Sequence, residues 1–246
     1  LIPGLFALTL VIGGCAQQSS DQMSNDMATD TMAHDGDGMS MDATVVAPDV
    51  YTVIHEDERV RILDMKLPAG VTDGMHSHPD EAVYFIKGSK LRIHLPDGES
   101  MEMDVPDGAP LSHEAWTHTV ENIGDSLLHA VVFELKEGAR DSAGVIPEGM
   151  GAAETSPDVY SVLLEDERVR ILEMKLPAGQ SDNEHVHTAE AVYFLSGGRA
   201  RIHLPNGEVI EAEVPDGGFL SNPMWQHRVE NVGESEVHAV IVELKE

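Results

Sequence analysis

Residues 70–88 read GVTDGMHSHPDEAVYFIKG, and residues 179–197 read GQSDNEHVHTAEAVYFLSG. Each holds His-x-His followed by a glutamate: His76, His78 and Glu81, then His185, His187 and Glu190. Another histidine follows in each case, His118 and His227, and every member of the second set lies 109 residues after its counterpart. Imidazoles and carboxylates are the donors a transition metal needs, so the chain carries two candidate metal sites on two copies of one unit.

Residues 49–137 align with residues 158–246 without a gap, and about 55 of 89 positions are identical. Neighbours of the proposed ligands have changed: Met75 is matched by Glu184, Ser77 by Val186, Pro79 by Thr188 and Asp80 by Ala189. The eight proposed ligands have not. His55 faces Leu164 and His113 faces Asn222 in the alignment, which removes both histidines from any chemistry the copies share.

Within each copy, short apolar runs alternate with polar residues and no helical period is sustained, so strands are expected. In the first copy they fall at 59–66, 82–86, 90–95, 99–104, 118–122 and 128–135, with turns at Pro68-Ala69-Gly70, Pro96-Asp97-Gly98 and Pro106-Asp107-Gly108. The second copy repeats the plan, with turns such as Pro205-Asn206-Gly207 and Pro215-Asp216-Gly217. Many short strands at near-regular spacing mean an all-β sandwich or barrel, and the period does not choose between them.

The motifs do, because they resemble those of the cupin superfamily. Its first motif sets a Gly before His-x-His, then Glu, then Gly; Gly70, His76, His78, Glu81 and Gly88 match it, as do Gly179, His185, His187, Glu190 and Gly197. The spacer before Glu is two residues in both copies, shorter than the family's three or four. The second motif sets His four residues before Asn, and His118 with Asn122 and His227 with Asn231 fit it. Trp116 and Trp225 stand where that motif usually has Gly. The resemblance implies a bicupin of two tandem jelly-roll barrels, at 47–137 and 157–246. Residues 138–156, rich in Gly, Ala and Ser, form the linker, long enough for the barrels to pair within the chain.

His76 and His78 at i and i+2 point to the same face of a strand, as a chelating pair requires. Glu81 lies an odd step further and joins them only if the chain turns at Pro79-Asp80; otherwise three histidines hold the ion and the glutamate stands behind them. Such donors suit Mn, Fe, Ni, Zn or Cu, up to one ion per barrel, and leave coordination positions open for substrate, water or dioxygen. Trp116 and Trp225 are expected to wall the pocket beside the ligand histidine or to pack in the core. His129 and His238 open apolar strands and are candidates to face the barrel interior behind the ligands. His94 and His203 share a face with arginine and are expected in solvent or between barrels.

A net charge of -29 argues against nucleic acid as a partner, because a phosphate backbone would be repelled rather than neutralised. Residues 1–14, LIPGLFALTLVIGG, followed by Cys15, resemble a bacterial lipoprotein signal peptide, and Ile12-Gly13-Gly14-Cys15 fits the lipobox. Cys15 is the only cysteine, so no intrachain disulfide forms and lipidation there is expected. Ala16 resembles the sorting residue of lipoproteins anchored to the outer membrane and facing the periplasm of a Gram-negative cell. Residues 15–46 lack the apolar content to offset their ordering entropy and read as a disordered tether. Its methionines, with His34, offer a Cu(I) site as the alternative to a plain spacer.

No Ser-His-Asp set, phosphate-cradling loop or reactive thiol is evident. The reading is therefore a metal-dependent enzyme on a small carboxylate or polyol-like molecule, of oxygenase, decarboxylase or isomerase type. A metal- or ligand-binding envelope lipoprotein without catalysis is the rival reading, and a structural bicupin with empty sites is a third.

Overall fold

The computed structural model describes residues 41–246. The signal segment, Cys15 and the methionine cluster up to Met39 lie outside the described residues. The first repeat opens on a one-turn helix, α1 (Ala43–Val46), followed by β1 (Tyr51–Glu56), β2 (Val60–Leu67), β3 (His76–His78), β4 (Glu81–Lys87), β5 (Lys90–His94), β6 (Ser100–Asp104), β7 (Pro110–His113), β8 (Trp116–Asn122) and β9 (Leu128–Leu135). The second repeats the order with α2 (Ala152–Thr155), β10 (Tyr160–Glu165), β11 (Val169–Leu176), β12 (His185–His187), β13 (Glu190–Ser196), β14 (Gly198–His203), β15 (Val209–Val214), β16 (Phe219–Asn222), β17 (Trp225–Asn231) and β18 (Val237–Leu244).

Each repeat is a jelly roll of two antiparallel sheets. The five-stranded sheet runs β1-β2-β9-β4-β7 and the four-stranded sheet β3-β8-β5-β6; the second repeat gives β10-β11-β18-β13-β16 and β12-β17-β14-β15. Side-chain alternation in the five-stranded sheet serves two cores at once. On β9, Leu128, Ala130 and Val132 face the interior of their own barrel, whereas Val131, Phe133 and Leu135 join a cluster shared with Ile171, Tyr193, Val240 and Val242 of the other repeat. The two large sheets thus pack face to face, and a sheet buried on both sides reads as a near-continuous apolar run. Ser221 accepts from Arg59 at 3.0 Å and donates to Asp57 at 2.6 Å across this contact, and Arg168 reaches Ser112 at 3.3 Å in the related place.

Three strands escape the sequence pattern. On β1, alternation fails at a bulge between Val53 and His55. The strand β7 starts at Pro110, which is tolerated because it is first in an edge strand. The strand β3 is only three residues long, the His-x-His segment itself.

Two segments are more ordered than the composition implies. The expected tether extends to residue 46, yet residues 41–46 are structured: Ser77 donates its backbone N–H to Met41 at 2.7 Å, Asp42 caps α1 and pairs with Arg61 at 2.7 Å, and Ala43 is fully buried. Their few apolar atoms find a ready-made barrel edge, so ordering needs no core of their own. The linker carries a one-turn 3-10 helix (Ala139–Ser142), and Ala139 and Ala143 are buried in the shared cluster between the barrels.

Candidate metal centres

The strands β3 and β8 pair antiparallel with His76 opposite His118 and His78 opposite Trp116. Alternation sends His76 and His78 to one face and the register brings His118 to meet them. One donor nitrogen from each of the three lies within 4.8 Å of the others, and His185, His187 and His227 do the same on β12 and β17. All six histidines are buried.

Hydrogen bonding fixes what these rings present to one another. His76 Nδ1 lies 2.7 Å from the Gly74 carbonyl, which only accepts, so that nitrogen carries the proton and Nε2 carries a lone pair. His78 Nδ1 likewise donates to Glu134 Oε1 at 2.7 Å. The two Nε2 atoms then face each other 3.0 Å apart. In the second barrel His185 donates to the Asn183 carbonyl at 2.7 Å and His187 to Glu243 at 2.6 Å, again leaving Nε2 to Nε2 at 3.0 Å. With both rings neutral, two lone pairs held in contact in a buried site repel unless a cation, a metal ion or a proton, lies between them, and both His118 Nδ1 and His227 Nδ1 are buried without a partner. The residues therefore fit a metal ion. Two ligands at about 2.1 Å from one ion stand about 3.0 Å apart at a right angle and about 3.4 Å apart at the tetrahedral angle, so the spacing fits right-angled coordination.

Electrostatics agrees. Burial pushes His76 and His185 down to about 4 and His118 down to about 2, and it drives His227 well below the usual imidazole range, so these rings are neutral donors at neutral pH. Burial also opposes charge on His78, but the Glu134 hydrogen bond and the Glu81 carboxylate outweigh it and raise its pKa. Glu134 resists burial through its bonds to His78 and Arg61 and is held below the usual carboxylate range.

Glu81 takes a different place from the three histidines. It opens β4, in the sheet opposite β3, directly across from Glu134 on β9. It is buried, accepts the Trp116 indole N–H at 2.7 Å, and sets Oε2 3.7 Å from the protonated nitrogen of His78. The donor set within 4.8 Å comprises the histidines alone. Glu190 repeats this with Trp225 at 2.8 Å and Asn222 at 3.3 Å. Trp116 and Trp225 lie against the ligand histidine, ring centroids 3.8 Å away in both barrels, and line the cavity beside it.

The expectation that His129 and His238 face the barrel interior is overturned. They share the outward face of their strands with Val131 and Val240 and pair with carboxylates on the adjacent strand, His129 with Asp64 at 2.6 Å and His238 with Glu173 at 2.8 Å. The parity of β9 sends residues 128, 130, 132 and 134 inward instead. His94 and His203 lie part-exposed against Glu121 and Glu230.

Four groups supporting the triads went unread in the sequence. Glu134 and Glu243 hold the second histidine; Arg61 and Arg170 pair with those glutamates. Tyr51 donates to Asp73 at 3.1 Å with its oxygen 3.2 Å from His76 Nε2, and Tyr160 donates to Asp182 at 2.8 Å. All are identical between the repeats, and a carboxylate inside Val131-Val132-Phe133-Glu134-Leu135, on the inward parity, was the available signal.

The fold is that of two tandem cupin-like jelly-roll barrels in one chain, each enclosing three histidines that could hold a metal ion. Among solved structures the chain is similar to a single-residue variant of Bacillus subtilis oxalate decarboxylase (TM-score 0.59, 17% identity, covering 79% of this chain and 72% of that one). A structure of the same enzyme concerned with its Mn(II) centres matches with TM-score 0.58 at 17% identity, over 79% of this chain and 72% of that one. A cupin domain from Bordetella pertussis Tohama I is 28% identical over 35% of this chain and 92% of its own, with TM-score 0.33. No family model matches the sequence. One curated protein does, the DNA-directed RNA polymerase subunit beta of Acholeplasma laidlawii, 26% identical over 218 residues; the alignment takes in 82% of this chain and 16% of that much longer one.

Proposed function

We propose that this protein is a metal-dependent small-molecule enzyme, with one divalent transition ion on His76, His78 and His118 and another on His185, His187 and His227. The observation that carries the reading is the pair of Nε2 lone pairs held 3.0 Å apart in each barrel by hydrogen bonds on the far nitrogens. The right-angled spacing favours a six-coordinate ion such as Mn(II) or Fe(II), whose remaining positions are open to substrate. Such an ion supplies Lewis acidity and orients a substrate oxygen, or binds dioxygen. The chain's own residues do the rest: Glu134 and Glu243 keep the proton on Nδ1 of the middle histidine, and the tryptophans hold Glu81 and Glu190 at the edge of the cavity. Decarboxylase, oxygenase and isomerase chemistry all fit this arrangement.

Metal analysis of protein produced without residues 1–15 in defined media tests this. Up to two equivalents of one ion per chain are expected, falling to none in the His76→Ala, His185→Ala double variant. Protein that takes up no ion under any supply overturns the reading, and loaded protein inert to every substrate class would leave a metal-binding lipoprotein. We also propose that Cys15 is acylated and tethers the barrels to the outer membrane on its periplasmic side. This rests on the lipobox, and labelled palmitate incorporated by the wild type but not by Cys15→Ser is the expected result in a lipoprotein-processing host. An unlabelled wild type refutes it.

A further inference from the structure

The two repeats keep their histidines but not the space beside them. Each triad borders a cavity inside its barrel, about 50 Å³ in the first and about 70 Å³ in the second. Three positions shared by the two linings shrink between copies: Leu91 becomes Ala200, Met103 becomes Ala212 and Leu128 becomes Val237. One grows, Val132 to Ile241, so the exchange is a net removal of side-chain volume directed at this cavity.

The lining of the larger cavity also has a definite chemistry. Neither lysine nor arginine contributes to it. Its hydrogen-bonding groups are already engaged: Tyr160 donates to Asp182, Trp225 to Glu190 and His187 to Glu243. Besides His227 Nδ1, which belongs to the proposed ion site, one polar atom has no hydrogen-bond partner: Glu190 Oε2, buried and 3.5 Å from His187 Nδ1. The remaining wall is apolar, including Val192, Phe194, Ile202, Val229 and Ile241. Apart from the proposed ion, a carboxylate or dicarboxylate ligand would meet no lysine or arginine in that wall, and its second oxygen or second carboxylate would lie against Glu190, which burial makes costly. A neutral molecule with a short hydrocarbon body and one hydroxyl would satisfy both features: the hydroxyl hydrogen to Glu190 and the body against the valines and isoleucines.

We propose that the second barrel is the ligand-binding one, and that its ligand is an uncharged small aliphatic alcohol-type compound rather than an organic acid. The proposal rests on reading the histidine groups as ion sites, with the ligand oxygen placed beside the triad. It also gives the repeats different tasks: the first barrel, filled by Leu91 and Met103, keeps a metal group in a tighter core.

Methyl-resolved NMR of the metal-assayed protein tests this, using 1-propanol and oxalate as separate probes at millimolar concentration. Saturable shifts at Val192, Ile202 and Ile241 with 1-propanol, absent with oxalate, are expected. The variant Ala200→Leu, Ala212→Met carries the side chains the first barrel already packs at these places, so it should fold with its metal content unchanged. It should weaken 1-propanol binding at least tenfold, and Glu190→Gln should weaken it less. Oxalate shifting these methyls in place of propanol, equal propanol shifts in the two barrels, or full binding in the filled variant would each overturn the proposal. Metal content is measured in the same samples, so failure of the ion reading registers separately from failure of the ligand class.

Discussion

At the scale of the residue, the decisive feature is a proton kept on the outer nitrogen of two of the three clustered rings in each barrel. Glu134 does this for His78, and Arg61 in turn holds Glu134, so a buried carboxylate stays charged where burial alone would neutralise it. Carboxylates behind a metal-bound histidine typically carry a 10–100-fold effect on metal affinity, and a loss of about that size is expected for Glu134→Gln in a chain whose second site is removed by His185→Ala. Glu134→Ala goes further, because the His78 N–H is then buried without an acceptor, at about 1–3 kcal/mol of stability. Competition against a chelating indicator dye measures the first effect and urea denaturation the second. Unchanged affinity in Glu134→Gln would mean that His78 keeps its tautomer without help. Spacing alone revealed the histidines, because i and i+2 on a strand is a local relation. Glu134 is 56 residues from His78 and is brought to it by the sheet, so no local pattern could show the partnership.

At the scale of the element, the two cupin motifs are places where strands and turns hold the site's edges together. Gly88 links β4 to β5, and a Cβ there would run into the Val105 carbonyl oxygen and the backbone of Pro106; Gly197 faces Val214 and Pro215 in the same way. Its φ is not in the left-handed region, so the demand is for space rather than for backbone freedom. Overpacking usually costs about 1–3 kcal/mol, and with backbone as the obstacle Gly88→Ala is expected at the upper end of that range, read as a fall in the denaturation midpoint with unchanged m value. A variant as stable as the wild type would mean that the β4–β5 connection moves freely. Asn122, the last residue of the second motif, has a comparable task. It is fully buried, gives its amide to the Leu67 and Ser126 carbonyls, and accepts from Ser89, tying three segments at one point. The strands with regular alternation were legible in the sequence to within a residue or two. Those that were not are explained by the bulge in β1, the leading proline of β7 and the brevity of β3. Glu81 was readable as buried and near the site but not as a partner of Trp116, because the shortened spacer starts a new strand in the opposite sheet.

At the scale of the whole molecule, duplication has turned what would be an exposed sheet face into a core. Phe133, Ile62, Tyr84 and their counterparts Ile171, Tyr193 and Val242 cover each other, and burying each large side chain contributes roughly 1.5–3 kcal/mol. The sequence implies alternating strands of a sandwich or barrel; that β2, β4 and β9 are buried on both faces, and what covers the outer one, comes only with the structure. The rim of this contact is polar and titratable. Asp57 accepts from Ser221 of the other repeat, from Arg59, and from the backbone N–H groups of Arg59 and Val60. Burial works against its charge, but those hydrogen bonds, Ser221 foremost, hold its pKa at about 2. A carboxylate with a folded-state pKa below its unfolded value of about 3.9 stabilises the fold above that value, and the contribution disappears as pH falls through the folded one. The window for Asp57 is therefore about pH 4 down to pH 2. Many of the 44 acidic residues titrate in the same range, so the acid midpoint of the wild type alone says little about this group. The informative quantity is the difference from Asp57→Asn. That variant should be less stable than the wild type at pH 6, and the gap in urea midpoint should close as pH is lowered from 4 to 2. A gap that stays constant over the window would show that Asp57 joins the two barrels through its shape and hydrogen bonds, and that its charge contributes nothing.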